Sequence, residues 1–251
     1  MDDRQRVDVA LVQRGLARSR GQARDLIRSG EVLVNGRAVL RPSTPVGPDD
    51  ELGAPTDRYV SRAAHKLLGA LDEAGLAVSG RALDAGASTG GFTQVLLERG
   101  CDHVYAVDVG TGQLVDELRR DPRVTAREHL NLRDLTLADV DGEPVDVLVA
   151  DVSFISLRLL VEPMLAVLRP DGVALLMVKP QFEVGRAGLD SRGVVVNDAA
   201  REDAVDLVVA DAERLGWACV WRGRSPLPGG EGNVEFFVEL RHGSARSADL
   251  S

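Results

Sequence analysis

Five short apolar runs recur along the chain: "RALDAG" (81–86), "HVYAVDVG" (103–110), "RVTAREH" (123–129), "VDVLVADVSF" (145–154) and "GVALLMVKP" (172–180). Polar, helix-patterned stretches separate them. Near-continuous apolar strands need cover on both faces, and strands joined through helices run parallel. The rhythm therefore predicts an α/β sheet with helices on either side. Two final runs, "WACVWRG" (217–223) and "NVEFFVELR" (233–241), lie close together and are expected to pair as an antiparallel edge hairpin. The expected architecture is a Rossmann-like, doubly wound, mostly parallel seven-stranded sheet. "SFISLRLLVEPMLAVL" (153–168) reads as one helix burying Leu157, Leu160, Met164 and Leu168.

A smaller α+β unit is expected before this sheet. In "LVQRGLARSRGQARDLIRSGEVLVNGRAV" (11–39), Leu11, Val12 and Leu16 give a first helix its apolar side. Ser19 stands three before Gln22, the spacing of a capping box that starts a second helix. Ala23, Leu26 and Ile27 form that helix's inner face, Gly30 stops it, and Asn35-Gly36 turns a hairpin. Residues 41–58 hold four prolines and two glycines, too many for a long helix. The domains expected are 1–55, a linker at 56–60, and 61–251.

Charge divides the same way. Residues 1–45 carry nine arginines and five acids, net +4, whereas the whole chain carries −9. An acidic protein does not coat nucleic acid indiscriminately, but a basic module on an acidic body suits recognition. Arg20, Arg24 and Arg28 repeat every four residues and so share one helix face, a spacing at which like charges repel. With no acid interleaved on that stripe, phosphate contacts are expected there. No run of about 18 apolar residues is present, so no bilayer-spanning helix and no membrane role are expected. Cys101 and Cys219 lie far apart and outside metal-ligand spacing. No disulfide framework or metal site is expected, and the cytoplasm is the natural compartment.

"LDAGASTGGFT" (83–93) follows the first strand, where such folds bind nucleotides. It lacks the Gly-Lys-Ser/Thr of a phosphate-gripping loop, and Ser88 stands where a dinucleotide fingerprint has its second glycine. Asp84 before the first glycine disfavours an anion and tolerates a cation. S-adenosylmethionine, a sulfonium without phosphate, meets both conditions. Asp84, Gly86, Ala87, Ser88, Thr89, Gly90, Gly91 and Phe92 are the expected cradle. Asp108, closing the second strand, is placed for the ribose hydroxyls; Asn131 serves the adenine or is a plain loop residue.

Asp151 and Lys179 close the fourth and fifth strands, Glu235 begins the last, and Lys66 lies on the helix "SRAAHKLLGALDEAG". Carboxyl ends of parallel strands face the ligand, which puts Asp151 beside the cofactor as well. The four resemble the Lys-Asp-Lys-Glu tetrad of the FtsJ-like ribose 2′-O-methyltransferases. That resemblance implies a lysine taking the proton from a ribose hydroxyl as it attacks a methyl group. A free lysine ionises near 10.4, and burial or a neighbouring cation is what makes such an amine a base at neutral pH.

The basic module, on "GLARSRGQARDLIRSGEVLVNGRAV", resembles the small RNA-binding fold of ribosomal small-subunit protein four. This implies structured RNA as partner, with Arg4, Arg6, Arg18, Arg20, Arg24 and Arg28 as candidate contacts. With "YVSRAAHKLLGAL", "DVGTGQL", "ADVSFISL", "MVKPQFE" and "SPLPGGEGNVEFF", the chain resembles the TlyA family from end to end. The resemblance implies S-adenosylmethionine-dependent 2′-O-methylation of cytidine in 16S and 23S ribosomal RNA. Three rival readings are a binding-only RNA module, a membrane-active haemolysin (a name some relatives carry), and an enzyme that methylates a base or a protein, for which neither Cys101 nor Cys219 sits at a strand-end site as a nucleophile. Retention of the tetrad and loop disfavours the first, and the lack of a spanning segment disfavours the second.

Overall fold

The computed structural model describes residues 4–17, 19–54 and 58–243. The chain divides into two compact units, residues 1–58 and 59–251. Thr56 and Asp57 of the expected linker, and Arg18 among the expected RNA contacts, lie outside the described residues.

The first unit contains β1 (Gln5–Arg6), α1 (Val7–Gln13), α2 (Arg20–Arg28), β2 (Leu33–Val34), β3 (Arg37–Ala38), β4 (Pro45–Val46) and β5 (Leu52–Gly53). Val7, Ala10 and Leu11 of α1 meet Ala23 and Ile27 of α2, with Val32 and Val46, in a small core. Gln22 N donates to Ser19 Oγ at 3.2 Å, so Ser19 starts α2 as its spacing predicts. Asn35 and Gly36 both have positive φ, the requirement of a two-residue hairpin turn. β2 pairs antiparallel with β3 and β5.

The second unit contains α3 (Ala63–Ala74), β6 (Gly80–Ala85), α4 (Gly91–Glu98), β7 (Cys101–Val107), α5 (Asp116–Arg119), β8 (Val124–Arg127), β9 (Val145–Ala150), α6 (Val161–Ala166), β10 (Leu168–Val178), α7 (Pro180–Glu183), α8 (Asp198–Arg214), β11 (Trp217–Arg224) and β12 (Phe236–His242). Seven strands form one sheet in the order β11-β12-β10-β9-β6-β7-β8. Strand residues alternate between two cores. Leu83, Leu148 and Leu176 face α6 and α8, while Ala82, Val147 and Leu175 face α3 and α4. Both faces are thus buried, as the unbroken apolar runs require.

The last two strands pair antiparallel at one edge of the sheet, as expected, with β12 against β10 and β11 outermost. "VEFFVEL" explains this placement, because Phe236, Phe237, Val238 and Leu240 are buried, whereas β11 after Trp217 holds only half-buried and exposed positions. One expectation is corrected. The single helix expected over 153–168 is instead a 3₁₀ turn at Leu157–Leu159 followed by the six-residue α6, and Leu168 opens β10. All four stripe residues are buried nonetheless. The pattern identified burial but not the break.

Candidate active site

The glycine loop runs from the end of β6 into α4. Gly86 has φ +87°, and the amides of Gly86 and Ala87 both donate to Val107 O, at 2.9 and 3.0 Å. A Cβ on Gly86 would stand 2.8 Å from the Asp151 carbonyl oxygen, so only glycine lets the loop press against the end of β9. Asp108 links this loop to the next: Ser88 N donates to Oδ2 at 2.8 Å and Gly110 N to Oδ1 at 2.7 Å. A carboxylate offers about four lone-pair sites, so Asp108 retains acceptor capacity.

Asp84 lies beneath the loop, with no exposed surface. Oδ2 accepts from Thr93 Oγ1 at 2.6 Å, and Oδ1 is buried without a hydrogen-bond partner. Burial raises its carboxyl to about 7 against the pull of the Thr93 hydrogen bond, and the charges of Asp151 and Asp108 push it further up. Three acids therefore stand at the ends of three adjacent strands, β7, β6 and β9. Ser88 is exposed, Thr89 and Gly86 are half-buried, and Ala87, Gly90 and Gly91 are buried. Phe92 is a core residue stacked on Phe237, with ring centroids 6.3 Å apart. Asn131 is exposed and accepts from Arg133 N at 3.1 Å, capping the turn Leu132–Asp134.

Strand register assembles the tetrad. Val178 pairs with Phe236, so the next antiparallel positions, Lys179 and Glu235, stand side by side beyond the paired strands. Parallel pairing of Leu176 with Ala150 brings Asp151 to the same end. Lys66 reaches in from α3, and its Nζ donates to Glu235 Oε2 at 2.6 Å, with both side chains under a tenth exposed. Lys179 Nζ stands 2.6 Å from Asp151 Oδ1, close enough for an ion pair but off-line for a hydrogen bond. It donates instead to Ser153 Oγ at 2.8 Å.

Three neighbours escaped the sequence reading. Ser153 receives the Lys179 amine. Gln181 Nε2 approaches Glu235 Oε1 at 3.5 Å, bringing α7 to the second ion pair. Phe154 is 92% exposed, takes φ +65°, and packs on Phe182 at 5.5 Å. A bulky residue in the left-handed region is strained by roughly 1–3 kcal/mol, and such strain collects at working sites. Exposure and φ are invisible in a sequence; adjacency to Asp151 was the available signal. Glu183 fastens α7 to this segment by accepting from Ser156 Oγ at 2.5 Å and Leu157 N at 2.7 Å.

In the first unit, the arginine stripe is not acid-free. Asp8 of α1 is fully buried, and it accepts from Arg6 Nε at 2.8 Å, Arg20 Nη2 at 3.1 Å and Arg24 Nε at 3.3 Å. The expectation considered α2 alone, and the acid comes from the neighbouring helix. Arg4 and Arg28 are exposed.

Residues 59–242 match the FtsJ-like methyltransferase family, and residues 5–52 match the S4 domain. The chain is 49% identical over 245 residues to the 16S/23S rRNA (cytidine-2′-O)-methyltransferase TlyA of Mycobacterium tuberculosis, covering 96% of this chain and 91% of that one. It is 36% identical over 252 residues to the 23S rRNA (cytidine-2′-O)-methyltransferase TlyA of Campylobacter jejuni, covering 90% and 95%. A solved structure of a hemolysin-named protein from Streptococcus thermophilus superimposes with a TM-score of 0.77 at 38% identity, covering 96% of this chain and 90% of that one.

Proposed function

Because the chain belongs to the TlyA family of FtsJ-like methyltransferases, we propose that it methylates the ribose 2′-oxygen of cytidine in 16S ribosomal RNA, 23S ribosomal RNA or both. S-adenosylmethionine is the donor. One observation carries the roles: a buried amine, Lys179, held by Asp151 and Ser153 at the strand ends beside the glycine loop. The residues present suit this donor. Gly86 admits close approach, and Asp84, Asp108 and Asp151 make a field that favours a cation and opposes a pyrophosphate. Asp108 holds the ribose hydroxyls, the loop from Gly86 to Gly91 underlies the ligand, and Asn131 offers its exposed amide to the adenine edge.

When bound, S-adenosylmethionine would supply an electrophilic methyl group on a sulfonium, with a neutral thioether as leaving group. Lys179 Nζ, as the neutral amine, would take the 2′-hydroxyl proton as that oxygen attacks, and the ammonium so formed would be balanced by Asp151. Asp151 and Ser153 fix the amine, and the Lys66–Glu235 pair, steadied by Gln181, fixes the opposite wall. Held groups of this kind lower the barrier by orientation as much as by basicity. Arg4, Arg6, Arg18, Arg20, Arg24 and Arg28 bind RNA phosphates, which positions the substrate without reading its sequence. An enzyme with this substrate works in the cytoplasm, where ribosomes are. No helix among the described residues is long and apolar enough to cross a membrane.

The test is transfer of labelled methyl to purified small and large ribosomal subunits, with alkali-resistant sites mapped afterwards. Lys179→Ala is expected to abolish label while calorimetry still detects S-adenosylmethionine binding. Binding lost with the label would refute the role given to Lys179. No label in either subunit from the unaltered protein would refute the substrate.

A further inference from the structure

Asp8 is a negatively charged residue at the centre of the basic unit, where an acid opposes attraction to RNA. It sits in the first turn of α1, fully buried, and no structural need for a carboxylate comes from the small core of Val7, Ala10, Leu11, Ala23 and Ile27 beside it. Its two oxygens instead collect three guanidinium groups. Oδ1 takes Arg6 Nε at 2.8 Å, and Oδ2 takes Arg6 Nη2 at 3.3 Å, Arg20 Nη2 at 3.1 Å and Arg24 Nε at 3.3 Å. The side chains of Arg6, Arg20 and Arg24 are 47%, 51% and 44% exposed, so each is anchored at one edge and open to solvent along the rest. These three arginines come from two separate segments, and among the described residues Asp8 alone gathers them to one point. The hydrogen bond from Arg6 holds the Asp8 carboxyl far below the usual carboxylate range, so it is charged at any pH at which the protein works.

We propose that Asp8 is a positioning residue for RNA binding: it converts Arg6, Arg20 and Arg24 into one pre-arranged phosphate clamp of net charge +2. The proposal rests on the reading that these arginines contact RNA phosphates. Arginine presents five donors in a planar fork, so a guanidinium bonded to Asp8 along one edge still has donors for a phosphate. Three long side chains already held in a bound-like arrangement lose less freedom when RNA arrives, which is how pre-organisation raises affinity. One buried carboxylate at the centre also lets three like charges stand together without spreading apart.

Loss of the clamp and simple charge attraction change RNA affinity in opposite directions. Asp8→Asn removes a negative charge from a basic surface. Attraction alone then gives tighter binding to ribosomal subunits and a salt dependence at least as steep. Loss of the clamp gives about tenfold weaker binding and a flatter plot of log affinity against log salt, by roughly 0.7–0.9 for each phosphate no longer engaged. KM for ribosomal subunits should rise by a similar factor, with kcat at saturation and calorimetric S-adenosylmethionine affinity unchanged. In an Arg6→Ala/Arg20→Ala/Arg24→Ala background, Asp8→Asn should add little, because the residues it positions are gone. Tighter binding, or an equal loss in both backgrounds, would overturn the proposal.

If Asp8→Asn does not fold, Arg20→Lys/Arg24→Lys tests the same idea at constant charge. Compact ammonium groups cannot share one carboxylate and a phosphate edge-on. Weakened binding supports the clamp, and unchanged affinity overturns it. Should Arg20→Ala/Arg24→Ala itself leave affinity and salt slope unaltered, the reading of these arginines as RNA contacts fails. Should that variant weaken binding while Asp8→Asn does not, only the role of Asp8 fails.

Discussion

Replacing Lys66 by Met leaves Glu235 buried without its cation. The lost contact is 2.6 Å long between side chains 6% and 3% exposed. At that separation the attraction is about 6 kcal/mol for an effective dielectric near 20, and desolvation of both groups offsets much of it. What remains to be lost on removing one partner is the cost of an uncompensated buried charge, about 3–5 kcal/mol. For a unit of this size that lowers the melting temperature by roughly 6–20 °C. The assay is urea unfolding followed by tryptophan fluorescence. Both tryptophans, Trp217 and Trp221, lie on β11, which pairs with β12 just beyond Glu235, so the signal reports this unit alone. Glu235→Gln should be destabilising for the converse reason. The double variant Lys66→Met/Glu235→Gln, which buries no charge, should cost at least about 2 kcal/mol less than the sum of the two singles. A Lys66→Met loss below about 1 kcal/mol, or simple additivity, would refute the claim that this pair is a desolvated, mutually dependent unit.

Three further outcomes are expected. Gly86→Ala combines φ +87° with a Cβ 2.8 Å from a backbone oxygen, and should weaken S-adenosylmethionine binding at least tenfold by calorimetry. Gly142→Ala, at φ +80° but in open space, should leave that binding unchanged. Asp84 has a folded pKa of about 7 against an ordinary 3.8, so its contribution to stability is complete below about pH 4 and is lost as pH rises through 7. Unfolding free energies of wild type relative to Asp84→Asn should fall by a few kcal/mol across that window, and a flat difference would contradict the burial of Asp84. Phe154→Ala removes a strained, 92% exposed aromatic face beside Asp151 and should reduce kcat/KM for ribosomal subunits about 5–150-fold, the loss of one stacked base. An unchanged kcat/KM would deny Phe154 any part in holding the target nucleotide.

The sequence by itself determined the parallel sheet and placed the glycine loop, Asp151 and Lys179 at strand ends; only the resemblance to FtsJ-like enzymes grouped these two with Lys66 and Glu235. The sheet and its strand ends are local: near-continuous apolar runs need burial on two faces, and strand ends are marked by the first charged residue after an apolar run. Tertiary structure alone decided which lysine pairs with which acid. That depends on β12 inserting beside β10, so that Lys179 and Glu235 become neighbours while Glu235 bonds Lys66 and Lys179 turns to Asp151 and Ser153. Asp8 is the same lesson in the first unit. On its own helix it is an unremarked acid, and only the packing of α1 against α2 places it under Arg20 and Arg24. Periodicity records which face of an element is buried; contacts between elements distant in sequence are set by how those faces close on one another.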